Sequence, residues 1–348
     1  LFISYGLNGW TVFAGIILAG IIVNVLVNLT GKPGVKYGIP YPVIARASMG
    51  VRGANFPALI RGIVAIFWYG VQTYFASTAL ALLFNALLDS PGGGSFLGMN
   101  AVDWVSYAIV CVFQLGLFLR GFDWITNFLN WAGPLVYLVM IALLGVIWYK
   151  AGGGLVNELG DIFDGRGEHP GGPIAAFAAV VGTMVAYFAA VVINYGDFSR
   201  FVKSESHMKW GNFLGLPVSL AFFSFLALFI TAGTNLVANF IPAAFGLANL
   251  APAKISARTG GIITAVISFF IGGLWVALIS HIGIAGFVDT LGAVLAPLYG
   301  IVVADYYLVR KQRLNVQDLF SAEPGSTYYF DKGWNTRALV AFSVASVF

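Results

Sequence analysis

The chain has 348 residues, of which 59% are hydrophobic and 9% charged, with a formal net charge of +4. A soluble domain carries about 25% charged residues, and a soluble surface this apolar would aggregate, so the composition points to a polytopic α-helical membrane protein with room for roughly eight to eleven spans. The sequence pI of about 9.1 does not imply nucleic acid, because the basic residues lie in short loops between apolar runs, a footprint of topology rather than of a phosphate-binding face. Leu1 is not an initiator Met, apolar residues begin at once, and no charged segment precedes them, so no signal peptide is expected. The apolar residues from Ala338 to Phe348 are too few to span. The reading at both ends is of a fragment. The runs that mark spans are Gly9–Leu29, Pro57–Leu88, Val102–Leu119, Thr126–Tyr149, Ile174–Tyr195, Phe213–Phe240, Gly260–Ser280 and Ile284–Leu308, with a partial ninth from Arg337. No linker or low-complexity tract divides them, so residues 1–348 read as a single transmembrane domain.

Loop charges orient the spans. Lys32, Lys36, Arg46 and Arg52 place the first loop in the cytoplasm, and the uncharged Gly-rich loop near Pro91 faces out. Arg120 returns inside, the acidic loop with Glu158, Asp161, Asp164 and Glu168 faces out, and Arg200, Lys203 and Lys209 face in. A single span over 213–240 then puts Lys254 and Arg258 outside, and Arg310, Lys311 and Arg313 follow them. The simplest repair is that a span is missing near Ala232–Thr234; the weaker one makes Thr234–Leu250 a short or re-entrant pass.

No catalytic constellation is present. His169, His207 and His281 are far apart and near loops, no pair of carboxylates lies deep in a span, and Cys111 stands alone as a small core residue. The chain is therefore not expected to be an enzyme. What the spans do hold is glycine pairs and paired polar and aromatic groups. Gly182-Thr183 and Gly272-Gly273 mark either close helix packing or unwound helices whose freed backbone binds a solute or ion. Trp68 and Gln72 are four apart and share a helix face. An indole beside a carboxamide suits a planar, amide-rich ring, which the one stacks on and the other hydrogen-bonds. A lipid-facing aromatic with a packing Gln is the structural alternative. Tyr187 and Phe188 follow the Gly182-Thr183 pair, while Thr234, Asn235 and Asn239 cluster in the sixth run. Hydroxyl and carbonyl oxygens of this kind suit Na⁺, or serve as interhelical hydrogen bonds.

Several motifs, in order, resemble the nucleobase:cation symporter-1 family of hydantoin, allantoin and nucleobase permeases. They are Gly38-Ile39-Pro40, Ala45-Arg46-Ala47-Ser48-Met49-Gly50 with Arg52-Gly53, Phe67-Trp68-Tyr69-Gly70-Val71-Gln72-Thr73, and Asn194-Tyr195-Gly196-Asp197-Phe198-Ser199-Arg200. Thr234-Asn235-Leu236-Val237-Ala238-Asn239, Ala251-Pro252-Ala253-Lys254-Ile255-Ser256, and the stretch from Gly300 through Ala304-Asp305-Tyr306-Tyr307 to Arg310 complete the set. The resemblance implies an all-α five-plus-five inverted-repeat bundle with two further C-terminal helices. Here it is incomplete, the first helix and part of the seventh and eighth being absent. It implies a multi-pass protein of the cell membrane, the inner membrane in a bacterium. The function implied is secondary transport of a nucleobase-like or hydantoin-like heterocycle coupled to Na⁺ or H⁺, with no other cofactor.

The implied substrate residues are Trp68, Gln72, Phe188 and Asn239, and the implied cation ligand is Thr234. The partners are thus a small heterocycle, a coupling cation and the lipid bilayer. Two departures stand out. Phe188 occupies a position where the family often has Trp, and Phe213–Thr234 reads as the seventh helix joined directly to the later part of the eighth. An amino-acid carrier of the same superfamily, and a membrane fragment that does not transport, are the competing readings.

Overall fold

A computed structural model describes residues 9–88, 94–151, 171–224, 256–275 and 283–347. Among the described residues the chain is helical, with no β-strand beyond the isolated bridges Phe96–Met99 and Asp331–Trp334. Among the described residues six helices are long and apolar enough to cross a membrane. They fall on the runs read from the sequence from 9 to 29, 57 to 88, 102 to 119, 126 to 149, 174 to 195 and 284 to 308, but the first continues to Tyr37, so that Lys32 and Lys36, read as loop residues, lie in its last turns. In lipid each backbone amide must be satisfied within its own segment, and so these runs become helices rather than strands. The run at 260–280 appears as a 17-residue helix, Ala257–Gly273, and the run at 213–240 is described only as far as residue 224.

The residues cluster into two compact units, one of 1–40 with 134–228 and one of 41–133 with 229–348. In the first unit, α1 (Gly9–Tyr37) packs along α6 (Gly172–Ile193) through Val12, Ile16, Ala176 and Val180. Burial of such side chains against each other rather than lipid tails adds little hydrophobic energy, so close packing and hydrogen bonds hold the pair. Thr30 donates to the Val192 carbonyl at 2.6 Å and Ser199 to the Gly31 carbonyl at 2.8 Å. Gly31 lets the chains approach, since a Cβ there would lie 2.6 Å from the Met208 sulfur and 2.7 Å from the Tyr195 ring. Asn28 accepts from the amide of Asn212 at 2.8 Å, on α8 (Glu205–Phe213). That helix continues through a π turn at Leu214–Val218, which contains Pro217, into α9 (Ser219–Ser224). The short α7 (Gly196–Ser199) links α6 to this run. Gly38, at φ +68°, ends α1, and Pro40 two residues on prevents its resumption.

The second unit contains α2 (Tyr41–Met49), α3 (Asn55–Leu88), α4 (Ala101–Leu119), the start of α5 (Phe122–Ala151), α10 (Ala257–Gly273), α11 (Gly283–Ala304), the short α12 (Val316–Leu319) and α13 (Thr336–Ala345). A capping box starts α4: Asp103 N–H donates to the Asn100 side chain at 3.0 Å, and Asn100 N–H donates to the Asp103 carboxylate at 2.9 Å. Helices α3 and α10 cross at Gly70 and Gly272. A Cβ on Gly70 would lie 2.8 Å from the Ser268 carbonyl oxygen and 2.9 Å from the Gly272 nitrogen. A Cβ on Gly272 would overlap the Tyr107 hydroxyl and the Gly70 carbonyl oxygen. The Tyr107 hydroxyl of α4 reaches the Ser268 and Phe269 carbonyls at 3.2 and 2.9 Å, and Ser268 donates to the Ile66 carbonyl at 3.0 Å.

The glycine pairs resolve differently from the unwound-helix expectation. Gly272-Gly273 closes α10 at a tight crossing, so packing is its role. Gly182-Thr183 lies inside an uninterrupted α6, and a Cβ on Gly182 would meet nothing within 4 Å. Neither unwinding nor close packing describes Gly182.

Candidate functional site

The turn of α3 that carries Trp68, Tyr69, Gly70, Gln72 and Thr73 is the best-defined polar feature of the second unit. Its register is set from two sides. Thr73 bonds both to the Tyr69 carbonyl at 2.7 Å and to the Gln114 side-chain oxygen of α4 at 3.1 Å. On the other flank sits the Gly70–Gly272 crossing. Tyr69 packs with Leu117 and Ile125 in a buried cluster. With these neighbours fixed, Trp68 and Gln72 stand one turn apart on one side of the helix, as the sequence spacing requires. Trp68 is 3% exposed and Gln72 is 6% exposed, so the lipid-facing alternative does not hold for the indole.

Trp68 meets Phe287 of α11 edge to face, with ring centres 5.3 Å apart. Phe287 in turn meets Trp275 at 5.4 Å, and Trp275 meets Phe75 at 5.7 Å, both T-shaped. Such pairs add about 0.5–1.5 kcal/mol beyond burial, and they hold the indole in one orientation. Phe287 and Trp275 were not picked out by sequence reasoning. Their only local signal is an aromatic near a helix end, which commonly marks the membrane interface instead.

The remaining predicted residues are distributed as follows. Phe188 is half-buried on α6 of the first unit, where its ring meets Tyr187 at 5.3 Å, edge to face. It therefore belongs to a different compact unit from Trp68 and Gln72. Thr234, Asn235 and Asn239 lie outside the described residues, as does Lys254. Asp197 is buried beside Asn194, whose amide reaches its carboxylate at 3.2 Å. Asp305 pairs with Arg310 at 2.7 Å. Both carboxylates sit at helix ends. Among the described residues no group of His, Cys, Asp and Glu is arranged to hold a metal ion.

The family model for permeases of cytosine/purines, uracil, thiamine and allantoin matches residues 1–232 and 217–348. The allantoin permease of Bacillus subtilis (strain 168) is 33% identical over 383 residues, covering 97% of this chain and 76% of the permease. That alignment is longer than the chain's own 348 residues, so the permease carries residues this chain lacks. A purine-uracil permease of Arabidopsis thaliana is 28% identical, covering 97% of this chain and 63% of that protein.

Among solved structures, Mhp1, a nucleobase-cation-symport-1 family transporter in a closed conformation with bromovinylhydantoin bound, superimposes with a TM-score of 0.83 at 22% identity. The match covers 99% of this chain and 81% of that one. At that identity the likeness speaks for the fold. The matched proteins are permeases and not enzymes. With the family model covering nearly the whole chain and the Bacillus relative matched along 97% of it, the chain belongs to the nucleobase:cation symporter-1 family of membrane permeases.

Proposed function

We propose that this protein moves a nucleobase-like or hydantoin/allantoin-like heterocycle across the membrane, coupled to a cation. The observation that carries the reading is the pairing of a buried indole, Trp68, with a buried carboxamide, Gln72, on one turn of a helix whose register is fixed by hydrogen bonds and a glycine crossing. A flat ring with alternating N–H and C=O groups matches both chemistries: the indole face takes the ring, and the amide donates to and accepts from its edge. Asn239 supplies a second amide in this reading.

The coupling ion follows from which oxygens and protons the chain offers. Asp197 and Asp305 are engaged at helix ends, which leaves neither as the mid-membrane proton acceptor that H⁺ coupling would use. Thr234 offers a hydroxyl of the kind that ligates Na⁺, and Na⁺ is accordingly the favoured ion. The test is uptake of labelled uracil, allantoin and benzyl-hydantoin into cells or proteoliposomes containing the protein, with Na⁺ and pH gradients imposed separately. Uptake of at least one ring compound is expected. Uptake of amino acids with no ring compound carried would replace this reading by the amino-acid carrier, and no uptake of any solute by well-inserted protein would leave the chain as a membrane fragment that does not transport.

A further inference from the structure

Two of the sequence motifs touch neither the indole nor the amide: Ala45 to Gly53, and the stretch ending in Asp305 to Arg310. The structure makes them partners. Helix α2 ends at Met49, and its last carbonyls need donors from outside the helix. Gly50 N–H supplies one, to the Arg46 carbonyl at 3.0 Å. The others come from far along the chain. Arg310 Nη2 donates to the Ala47 carbonyl at 2.5 Å, the Asn335 side chain to the Ser48 carbonyl at 2.6 Å, and Asn335 N–H to the Met49 carbonyl at 2.8 Å. In the reverse direction Arg46 Nη1 donates to the Leu319 carbonyl at 2.9 Å.

Arg310 is held on every side. Beyond Ala304 the backbone widens into a π turn, Asp305–Val309, closed by Arg310 N–H to the Asp305 carbonyl at 2.8 Å. That turn brings Arg310 Nε to 2.7 Å from the Asp305 carboxylate. The guanidinium also lies over the Tyr328 ring, 4.6 Å from its centre. Tyr328 then accepts from Val51 N–H at 3.1 Å through its carbonyl. Next to it, the Gly333 carbonyl accepts from Arg52 and Gly53 N–H at 2.8 and 2.9 Å. Gly50, at φ +89°, leaves room for this, since a Cβ there would lie 2.5 Å from the Gly333 oxygen. A planar fork that serves a carboxylate, a carbonyl and a ring at once is a use that Lys cannot reproduce.

The consequence concerns α3 and α11. The α2–α3 elbow at 50–54 leads directly into the helix that carries Trp68 and Gln72, and Arg310 terminates the helix run that carries Phe287. Helix α11 thus meets α3 at the Trp68–Phe287 ring pair, and Arg310, just beyond it, meets the end of α2 that leads into α3. We propose that Arg310 is a positioning residue, the pin of a latch that makes the α2–α3 elbow and the end of α11 move as one piece during transport. The proposal rests on the transport reading above. It assigns Arg310 no contact with the solute, so the loss of the latch separates binding from movement.

The experiment compares Arg310→Met, Arg310→Lys and Asn335→Ala with the unaltered protein, in three measurements. Hydrogen exchange of the purified protein reads the latch itself, independently of any solute. The amides of 51–53 should exchange about tenfold faster in Arg310→Met, because charge-assisted bonds are among the stronger ones lost. Equilibrium binding of the transported heterocycle should stay within about twofold, while its uptake rate falls about tenfold, with Arg310→Lys between the two. Asn335→Ala removes only one side-chain bond and should show the same pattern more weakly, so it carries the test if Arg310→Met does not fold. Unchanged exchange at 51–53 overturns the latch, as does unchanged uptake, or binding and uptake that fall by the same factor. Failure of the unaltered protein to take up any heterocycle refutes the transport reading instead, and the exchange result still stands or falls alone.

Discussion

Two glycines in apolar helices, Gly272 and Gly182, should respond to the same substitution with opposite sign. At Gly272 an added Cβ overlaps the Tyr107 hydroxyl and the Gly70 carbonyl oxygen. The second obstacle is backbone, so the helices must part. Overpacking of this kind costs about 1–3 kcal/mol, and displacement of the Tyr107 hydroxyl from the Ser268 and Phe269 carbonyls adds about 0.5–1.5 kcal/mol. The helical preference of Ala over Gly returns about 0.5–1 kcal/mol. Gly272→Ala is therefore expected to destabilise by about 1–3 kcal/mol. At Gly182 a Cβ meets nothing within 4 Å, so Gly182→Ala should keep only the backbone gain and raise stability by about 0.5–1 kcal/mol. Thermal unfolding of both variants in one detergent reads the sign. A double-mutant cycle then tests the cause: Gly272→Ala should cost less in a Tyr107→Phe background, because one of the two obstacles is gone. Equal shifts for the two glycine variants, or a cost unchanged by Tyr107→Phe, would refute the crossing as described.

Trp68→Ala should weaken heterocycle binding more than Trp68→Phe, since stacking worth about 0.5–1.5 kcal/mol survives in part on Phe. Gln72→Leu should cost about 1–3 kcal/mol for rings with several N–H and C=O groups and less for rings with few, by equilibrium binding. If the coupling ion is Na⁺, substrate affinity measured with and without Na⁺ at fixed ionic strength should rise by the factor by which substrate tightens Na⁺; unchanged affinity together with uptake driven by a pH gradient would give H⁺ that role. Cysteines placed at 254 or 258, after replacement of Cys111, should label from the cytoplasm, and labelling from outside would mean that the chain inverts after residue 240. The Lys209 ammonium at 2.8 Å, with Lys32 at 3.6 Å, holds the Glu205 carboxyl below the usual range. Its contribution is therefore present above the unfolded value of about 4.3 and is lost as pH falls through the lower folded value. At 36% side-chain exposure the pair is worth about 0.2–1 kcal/mol, so the acid-limb difference between Glu205→Gln and the unaltered protein should be small and should shrink with salt.

The features legible in the sequence are those with a short range. A span needs about 20 apolar residues, so the ends of α3, α4, α6 and α11 were readable to within a turn or so, whereas α1 runs eight residues past Leu29 because its last turns carry Lys32 and Lys36 and read as a loop. The Trp68–Gln72 face follows from a spacing of four residues. Glycine was readable only as glycine. Gly182 and Gly272 look alike in a string of apolar residues, and only the element opposite decides whether a Cβ meets space or a carbonyl. Long-range partners were hidden for the same reason. Phe287 gives no local sign that it will meet Trp68, and Arg310 gives none that it will cap a helix 263 residues away. The loop-charge break near Ala232–Thr234 was readable because topology is counted along the chain.

Polar groups in a membrane helix can be sorted by where their hydrogen bonds go. On α3, Thr73 is committed to the Tyr69 carbonyl and to Gln114, and the Ile66 carbonyl is committed to Ser268. Those bonds fix how far α3 is rotated against α4 and α10. Gln72 precedes Thr73 by one residue and so points about 100° around the helix from it, on the side of Trp68. The two tasks are thus set on different faces of the same turn. Thr73→Val should lower thermal stability while leaving the preference among ring substrates intact, because Trp68 and Gln72, the residues proposed to read the ring, remain. Gln72→Leu should change that preference. If Thr73→Val altered substrate preference as strongly as Gln72→Leu does, the register bond and the ring contact would be one network, and the assignment of separate faces would be wrong.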